Sequence, residues 1–556
     1  MDILLLASHF NGLTQRAWCA LRGAGHGVAV ELVSAHRTAE GLADAVHAAS
    51  PDLVVCPFPR DPLPADVWRK WPTVVVHPAP PGERDPSALE HAIVDQTAQW
   101  GVCALSATED LASGPVWASR VFPMPSGSPT LTALHNGPLA DAAMACIEEA
   151  TAKAADPDFK PTPQDEPPRP PPGPGERDLD WSRPAEEIVR RIRAADSSPG
   201  LRTEIEGNPV QVYDAAAGER RPRRFYPGTI IGRDGDAVAV AAGDRAVWIG
   251  RARRPADRGG DGVKLPASMV LVDDPVPEIP APQALRECVY ARRGDVGVLT
   301  LRCHDGAMST RQCERIAAVL EDALAQDTRV LVVRGTSEYF STGIHLGVIE
   351  AAEDSATEAW ANVGALNALC TALASCTRQL TVAAFTAGAA AGGVMFGLAA
   401  DVVVARDGVV LNPYYDIGLY GSQLHTYTLP RRVGAATASR LLDAKLPVDA
   451  CDAVGVGLVD AVGPRDPDEF GDWLEELARS YADPRWHAEA TAAKLRVLAG
   501  SRPPAYYAAL EMSEMARDIF DDRSGFASGR AAFVHKRPPA DTPARLTSRG
   551  WSLARV

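Results

Sequence analysis

Val330-Leu331-Val332-Val333, then Phe340-Ser341-Thr342-Gly343-Ile344-His345-Leu346, and roughly fifty residues on Gly388-Ala389-Ala390-Ala391-Gly392-Gly393-Val394-Met395, decide the fold of the second half of this chain. The first run reads as an apolar strand feeding a glycine turn. The second opens a small-residue helix that runs into another apolar strand, 401–405. Strand, glycine turn and helix start leave backbone N–H groups without intrahelical partners. Two such turns are expected to aim their donors at one oxygen, an oxyanion hole for an enolate or a tetrahedral thioester.

This spacing and wording resemble the crotonase (enoyl-CoA hydratase/isomerase) superfamily. The resemblance implies that Ile344 and Gly392 supply the two oxyanion N–H donors. Crotonase hydratases add water with two glutamates, and those positions fall here on Met395 and on Tyr414 or Tyr415. The water-activating carboxylates are missing, which argues against enoyl-CoA hydration and leaves thioester binding. A tyrosine-rich run, Leu411-Asn412-Pro413-Tyr414-Tyr415 with Tyr420-Gly421-Ser422-Gln423 and Tyr427, takes their place. Its phenols read as hydrogen-bond donors or proton shuttles near a thioester carbonyl, or as aromatic packing against a sheet edge. Arg431 and Arg432, and the run 251–254, are candidates for coenzyme A phosphates. Solvated surface charge is the competing reading of 251–254.

Length and composition frame the rest. At 556 residues the chain is too long for one core, and about three domains are expected. A formal net charge of −15 argues against nucleic acid as the main ligand. Ten cysteines lie scattered, with no metal-ligand spacing, as buried thiols of a cytoplasmic protein would. No metal is expected. No basic segment followed by an apolar run opens the sequence. The uncharged stretch 379–400 is mostly Ala, Gly and Thr, and reads as a buried helix between strands rather than a membrane span.

Short apolar runs at 3–6, 28–33, 53–56 and 74–76, with a helix over 17–23, alternate at the spacing of a doubly wound parallel sheet. That unit occupies 1–155, and a proline-rich linker 156–179. A helix is expected after Asp180-Trp181-Ser182-Arg183-Pro184, capped by Ser182 with Pro184 in its first turn. Short β-like runs at 211–213, 228–232, 237–242 and 246–249 predict a small barrel over 180–280. A crotonase-like domain over 283–500 follows, with strands 296–301 and 330–333 around a helix over 310–326. A helical and basic tail, 501–556, ends the chain. The fold class is multidomain α/β: a doubly wound sheet, a β-barrel-like domain and a crotonase-like ββα spiral domain.

His77 ends the strand 74–76, where open α/β sheets bind ligands. A lone strand-end histidine is as readily structural as catalytic. With 10–16, 100–102, 111–115 and 117–118, the segment resembles the formyltransferase fold that uses 10-formyltetrahydrofolate, as in methionyl-tRNA formyltransferase. The part 180–275 resembles that family's C-terminal barrel. The family's site is Asn, His and Asp. Here His77 keeps the histidine, Val75 stands for the asparagine and Ala112 for the aspartate. Asp110 and Glu109 are the substitutes at hand for the aspartate.

Formyltransferase, barrel and crotonase in one chain resemble the HypX (HoxX) family of [NiFe]-hydrogenase maturation. The matching stretches are 10–16, 76–78 with 86–89, 180–187, 194–200, 340–346, 392–404, 411–415, 420–422, 429–434 and 533–536. The resemblance implies formyl transfer from 10-formyltetrahydrofolate to coenzyme A, then decarbonylation of formyl-CoA to CO and CoA. It implies His77, Tyr415, Tyr420 and Gln423 as catalytic candidates. Asn11, Gln15, Arg16, Ser197, Arg431 and Arg432 would bind the cofactors. Ser197 and Ser198 would line a passage between domains, and Lys536, Arg537 and Arg545 would fold back over the CoA site. Partners would be small molecules and hydrogenase maturation proteins, with neither nucleic acid nor membrane; the oligomeric state is open. A glutamate is usual after Tyr-Gly-Ser, and this chain has Gln423. The alternatives are a divergent paralogue with another formyl acceptor, a crotonase-type acyl-CoA hydrolase or decarboxylase with a degenerate first half, and a non-catalytic CoA- and folate-binding accessory protein.

Overall fold

Two compact units make up the chain, 1–285 with the returning segment from Pro538, and 286–537. The computed structural model describes residues 1–60, 62–127, 129–164, 178–197, 200–220, 225–256, 262–547 and 549. Most of the proline-rich linker, Ser198 and the last residues of the tail lie outside the described residues.

The first unit holds two sheets. Strands β1 (Asp2–Ala7), β2 (Gly27–Leu32), β3 (Leu53–Pro57), β4 (Thr73–His77), β5 (Gln99–Ser106) and β6 (Val116–Pro123) pair in the order β2-β1-β3-β4-β5-β6. The first four run parallel, and β5 and β6 add an antiparallel ribbon, so the sheet is not wholly parallel as expected. Strand direction is not encoded in an apolar run. The first helix is longer than its apolar pattern suggests, Gly12–Gly23, because Asn11 caps it by accepting the Thr14 N–H at 3.1 Å.

The second sheet is formed by β7 (Leu201–Ile205), β8 (Asn208–Arg220), β9 (Ile230–Asp234), β10 (Ala237–Ala241) and β11 (Arg245–Arg253), with the short β12 (Leu265–Pro266) on β11. β7 went unanticipated. Helix Ala185–Ala194 is not capped by Ser182, whose hydroxyl turns to Asp180. Asp244 from the β10–β11 turn takes the Ala185 N–H at 2.8 Å instead. The run 251–254 is solvated only at its end: Arg251 is buried against Asp236, Arg253 donates to Gln211, and Arg254 is exposed.

Among the described residues, the tail from Pro538 on belongs to the first unit. Helix Ala544–Thr547, which carries Arg545, packs on β2 in the first unit. Thr542 Oγ1 takes the Leu32 N–H at 3.0 Å and donates to Glu31, and Arg549 pairs with Asp2 at 2.6 Å. Lys536 and Arg537 remain with the second unit.

The second unit is built on β13 (Cys288–Arg293), β14 (Val296–Leu301), β15 (Ala307–Met308), β16 (Val330–Arg334), β17 (Gly343–Ile344), β18 (Leu380–Phe385), β19 (Ala389–Ala390), β20 (Val402–Arg406), β21 (Val410–Asn412), β22 (Val448–Asp449) and β23 (Ala461–Gly463). Its main sheet runs β13-β14-β16-β18-β20-β23, parallel apart from the β13–β14 hairpin. Its strands bury both faces, which is why they read as unbroken apolar runs. The stretch 379–400 spans β18 and the buried helix Gly392–Leu398, and no described helix is long and apolar enough to cross a membrane.

Candidate active sites

In the first unit His77 closes β4, half-buried, with Nε2 2.9 Å from the Glu83 carbonyl oxygen. Burial lowers its pKa; the Glu83 hydrogen bond and the Glu83 and Asp110 carboxylates work the other way. Of the two substitutes named for the missing aspartate, Asp110 is the one whose field reaches His77. It accepts the Ala112 N–H at 3.2 Å and faces Arg84 at 3.4 Å. Gln164 ties the loops around His77 together: Oε1 accepts the Gly82 N–H at 2.9 Å, and Nε2 donates to Gly114 O at 2.6 Å and Ala112 O at 3.2 Å. Val75 is fully buried in the sheet.

The expected cofactor residues here hold their own helix. Asn11 is its cap, Gln15 Nε2 donates to Phe10 O at 3.0 Å, and Arg16 pairs with Asp141 at 2.5 Å. Ser197 lies just past helix Ala185–Ala194, partly exposed.

In the second unit the two glycine turns are laced together. Phe340 N–H donates to Gly388 O at 3.0 Å, and Ala390 N–H to Ser341 O at the same distance. A Cβ built on Gly343, whose φ is +89°, would lie 3.3 Å from Gly392 N. A side chain there would crowd the Gly392 backbone, so Gly343, which precedes Ile344 in β17, abuts Gly392. Gly392 begins its helix, where N–H groups lack intrahelical acceptors. Met395 is fully buried in that helix.

Gln423 stands over this junction. It lies in a loop with left-handed backbone at two successive non-glycine residues, Gln423 (φ 63°) and Leu424 (φ 61°), after Gly421 at φ 109°. Such backbone costs on the order of 1–3 kcal/mol per residue and persists only where the surroundings impose it. They do. Asn367 Oδ1 accepts Ser422 Oγ–H and Gln423 N–H, both at 2.7 Å. Glu511 accepts Leu424 N–H at 2.9 Å, Thr426 N–H at 2.7 Å and Thr426 Oγ1–H at 2.6 Å. Asp518 accepts Tyr420 N–H at 2.6 Å.

Tyr415 Oη donates to Ser422 O at 2.6 Å and lies 3.2 Å from Gln423 Oε1. Burial holds its pKa well above the ordinary tyrosine range, so it is a neutral donor. Tyr420 is partly exposed, and both rings set their edges to His425. Burial pushes His425 down to about 4 and Glu511 up to about 7, with His425 Nδ1 3.3 Å from Glu511 Oε1.

Arg431 and Arg432 sit elsewhere. Arg432 donates to Ala400 O and Asp401 O, past the C-terminal end of helix Gly392–Leu398, and pairs with Asp460; Arg431 lies over the Tyr427 ring. Both line a cavity of about 570 Å³ with Asp401, Lys494 and Trp486. The helix places that cavity a helix length, about 10 Å, from Gly392.

Glu511, Asn367 and Asp518 escaped the sequence reading. One signal was present: Glu511 and Asp518 share the helix stripe of Ala508, Met515 and Ile519, an apolar face on which acids are out of place. Among the described residues no His/Cys/Asp/Glu cluster is set to hold a metal ion.

Residues 293–542 match the enoyl-CoA hydratase/isomerase family model, and 173–261 the formyl transferase C-terminal domain. The hydrogenase maturation factor HoxX of Bradyrhizobium diazoefficiens is 36% identical over 100% of this chain and 98% of its own. The chain belongs to the HypX (HoxX) family. The crystal structure of HypX from Aquifex aeolicus in complex with tetrahydrofolic acid superposes with a TM-score of 0.92 at 32% identity, over 98% of each chain. A methionyl-tRNA formyltransferase of Ralstonia nicotianae is 26% identical over 42% of this chain and 71% of its own. This HypX-family chain thus joins a formyltransferase-like and a crotonase-like part, both enzyme folds.

Proposed function

We propose that the chain transfers the formyl group of 10-formyltetrahydrofolate to the thiol of coenzyme A and breaks the resulting formyl-CoA into CO and CoA, for assembly of a [NiFe]-hydrogenase active site. The observation that carries this reading is the laced pair of glycine turns under Gln423, a thioester-type oxyanion site with no carboxylate where hydration needs one. Folate as donor is supported by the tetrahydrofolate bound to the Aquifex relative.

In the first step His77, kept neutral by burial, accepts the thiol proton as sulfur attacks the formyl carbon, and returns it to the folate nitrogen as the carbon–nitrogen bond breaks, so tetrahydrofolate leaves neutral and His77 is regenerated. In the second, the Ile344 and Gly392 N–H groups stabilise charge on the formyl oxygen while the carbon–sulfur bond breaks. The formyl hydrogen ends as the thiol proton, so formyl-CoA divides into CO and CoA with nothing left over. Tyr415 stays a phenol and fixes the Gln423 amide against the turn.

The test is purified protein with 10-formyltetrahydrofolate and CoA, read by CO trapping on reduced haem. CO with stoichiometric tetrahydrofolate supports the reading. Tetrahydrofolate without CO would point to another formyl acceptor, and neither product to a crotonase acting on a different acyl-CoA.

A further inference from the structure

The loop Tyr420–Thr426 is held by Asn367 and by two carboxylates 85 residues or more further along the chain, Glu511 and Asp518. Glu511 is fully buried on helix Pro504–Ile519, and both its oxygens are engaged, one by Leu424 N–H and the other by Thr426 N–H and Oγ1–H. It meets the chain directly after the left-handed pair Gln423–Leu424. Asn367 fastens Ser422 and Gln423 on one side of the left-handed pair and Glu511 fastens Leu424 and Thr426 on the other; without the Glu511 acceptors Leu424 loses its restraint, and Gln423 would shift from Gly392. We infer that Glu511 is a positioning residue of the crotonase-like site, helping to hold the Gln423 amide over the glycine junction through the backbone of Leu424 and Thr426. This rests on the formyl-CoA reading for its chemistry, but not for its geometry.

The three donors on Glu511 are those of an ionised carboxylate. The titratable groups that face it are His425 on the loop, Tyr415, Tyr420 and, on helix Ser355–Ser375, Cys370. Glu511 itself, pushed up to about 7 by burial, titrates nearest neutrality, and His425, pushed down to about 4, is neutral there. The held loop is therefore the form present above about pH 7.

Glu511→Gln tests this. An amide sets an NH₂ against one of the donors, so the loop should loosen while the helix stays packed. Hydrogen exchange of 420–426 in the full chain at pH 8 should rise at least tenfold, with 340–346 unchanged; equal exchange in variant and wild type overturns the inference whatever the reaction is. With formyl-CoA as substrate, CO release should lose at least tenfold in kcat with KM within twofold, and its inflection near pH 7 should vanish; an unaltered pH profile also overturns it. A wild type that makes no CO would defeat the formyl-CoA reading alone, and exchange would still decide the positioning. Should Glu511→Gln fail to fold, Thr426→Val removes one of the three donors without changing shape: exchange at 420–426 should rise and the inflection should move to higher pH, and no change in either overturns the inference.

Discussion

The Gln423 amide rests on the bare Cα of Gly392: a Cβ built there would stand 2.5 Å from Gln423 Oε1 and 2.9 Å from its Cδ. The Tyr415 phenol donates to that same Oε1 at 3.2 Å, so moving the amide away costs this hydrogen bond. Gly392→Ala should therefore displace either Gln423 or the turn that carries the oxyanion N–H. The expected loss in CO release from formyl-CoA is about 10² to 10³, the usual effect of losing one oxyanion donor. An unfolding midpoint close to wild type would place the defect in the site. Full activity would mean the glycine is there for packing alone.

Gln423→Glu puts a carboxylate where the amide now lies, within reach of the Tyr415 phenol and of the junction. A positioned general base contributes on the order of 10² or more. If the amide marks a lost base, CO release should climb about tenfold or further. An unaltered rate in the haem-trapping assay would show that the position does not limit the reaction.

Much of this arrangement was legible before any coordinates. The runs at 296–301 and 330–333 are strands because a parallel sheet buried on both faces leaves no alternation to misread. The two glycine turns announced themselves because close backbone approach excludes side chains at Gly343 and Gly392. What stayed hidden was long-range and polar. Glu511 reads locally as one acid in an amphipathic helix, and only the fold sets it against Leu424. Asp244 was overlooked as the cap of helix Ala185–Ala194 for the same reason, with Ser182 nearer in sequence but turned to Asp180. Asn11, Gln15 and Arg16, expected by resemblance to bind cofactor, also have partners within the protein that no local pattern gives: the Thr14 N–H, the Phe10 carbonyl and Asp141.

His77→Ala should abolish formyl-dependent release of tetrahydrofolate, and persistence of that release would make His77 structural. The pH dependence carries a sign. Burial lowers the folded pKa of His77, so the neutral, proton-accepting form survives to lower pH than for a free imidazole. Formyl transfer should stay level from pH 8 through about 6.5 and decline only in more acid solution. A fall already complete at pH 6.5 would contradict a buried neutral base.

The returning tail shields the edge of the first sheet. Thr542 satisfies the Leu32 N–H on β2, an edge strand, and Arg549 neutralises Asp2 on β1. Truncation after Arg537 should raise hydrogen exchange at 27–32 and destabilise the first unit by about 1–3 kcal/mol, the scale of a few lost hydrogen bonds. Exchange indistinguishable from the full chain would mean the tail only rests there.

Glu511 and His425 should leave opposite marks on stability. Glu511 has its folded pKa raised from 4.5 to about 7, so its contribution is whole below about 4.5 and drains away as pH rises through 7. His425 has its folded pKa depressed from 6.5 to about 4, so its contribution is whole above about 6.5 and is lost as pH falls through 4. Each shift corresponds to about 3 kcal/mol. Between pH 5 and 6.5 the two slopes oppose, and wild-type stability should be nearly flat from this pair. Glu511→Gln removes one slope and leaves the other, so the variant's stability relative to wild type should climb steadily from pH 5 to 7. Urea unfolding followed by exchange in helix Pro504–Ile519 measures that difference, and a constant offset across the range would show that the carboxyl of Glu511 does not titrate there.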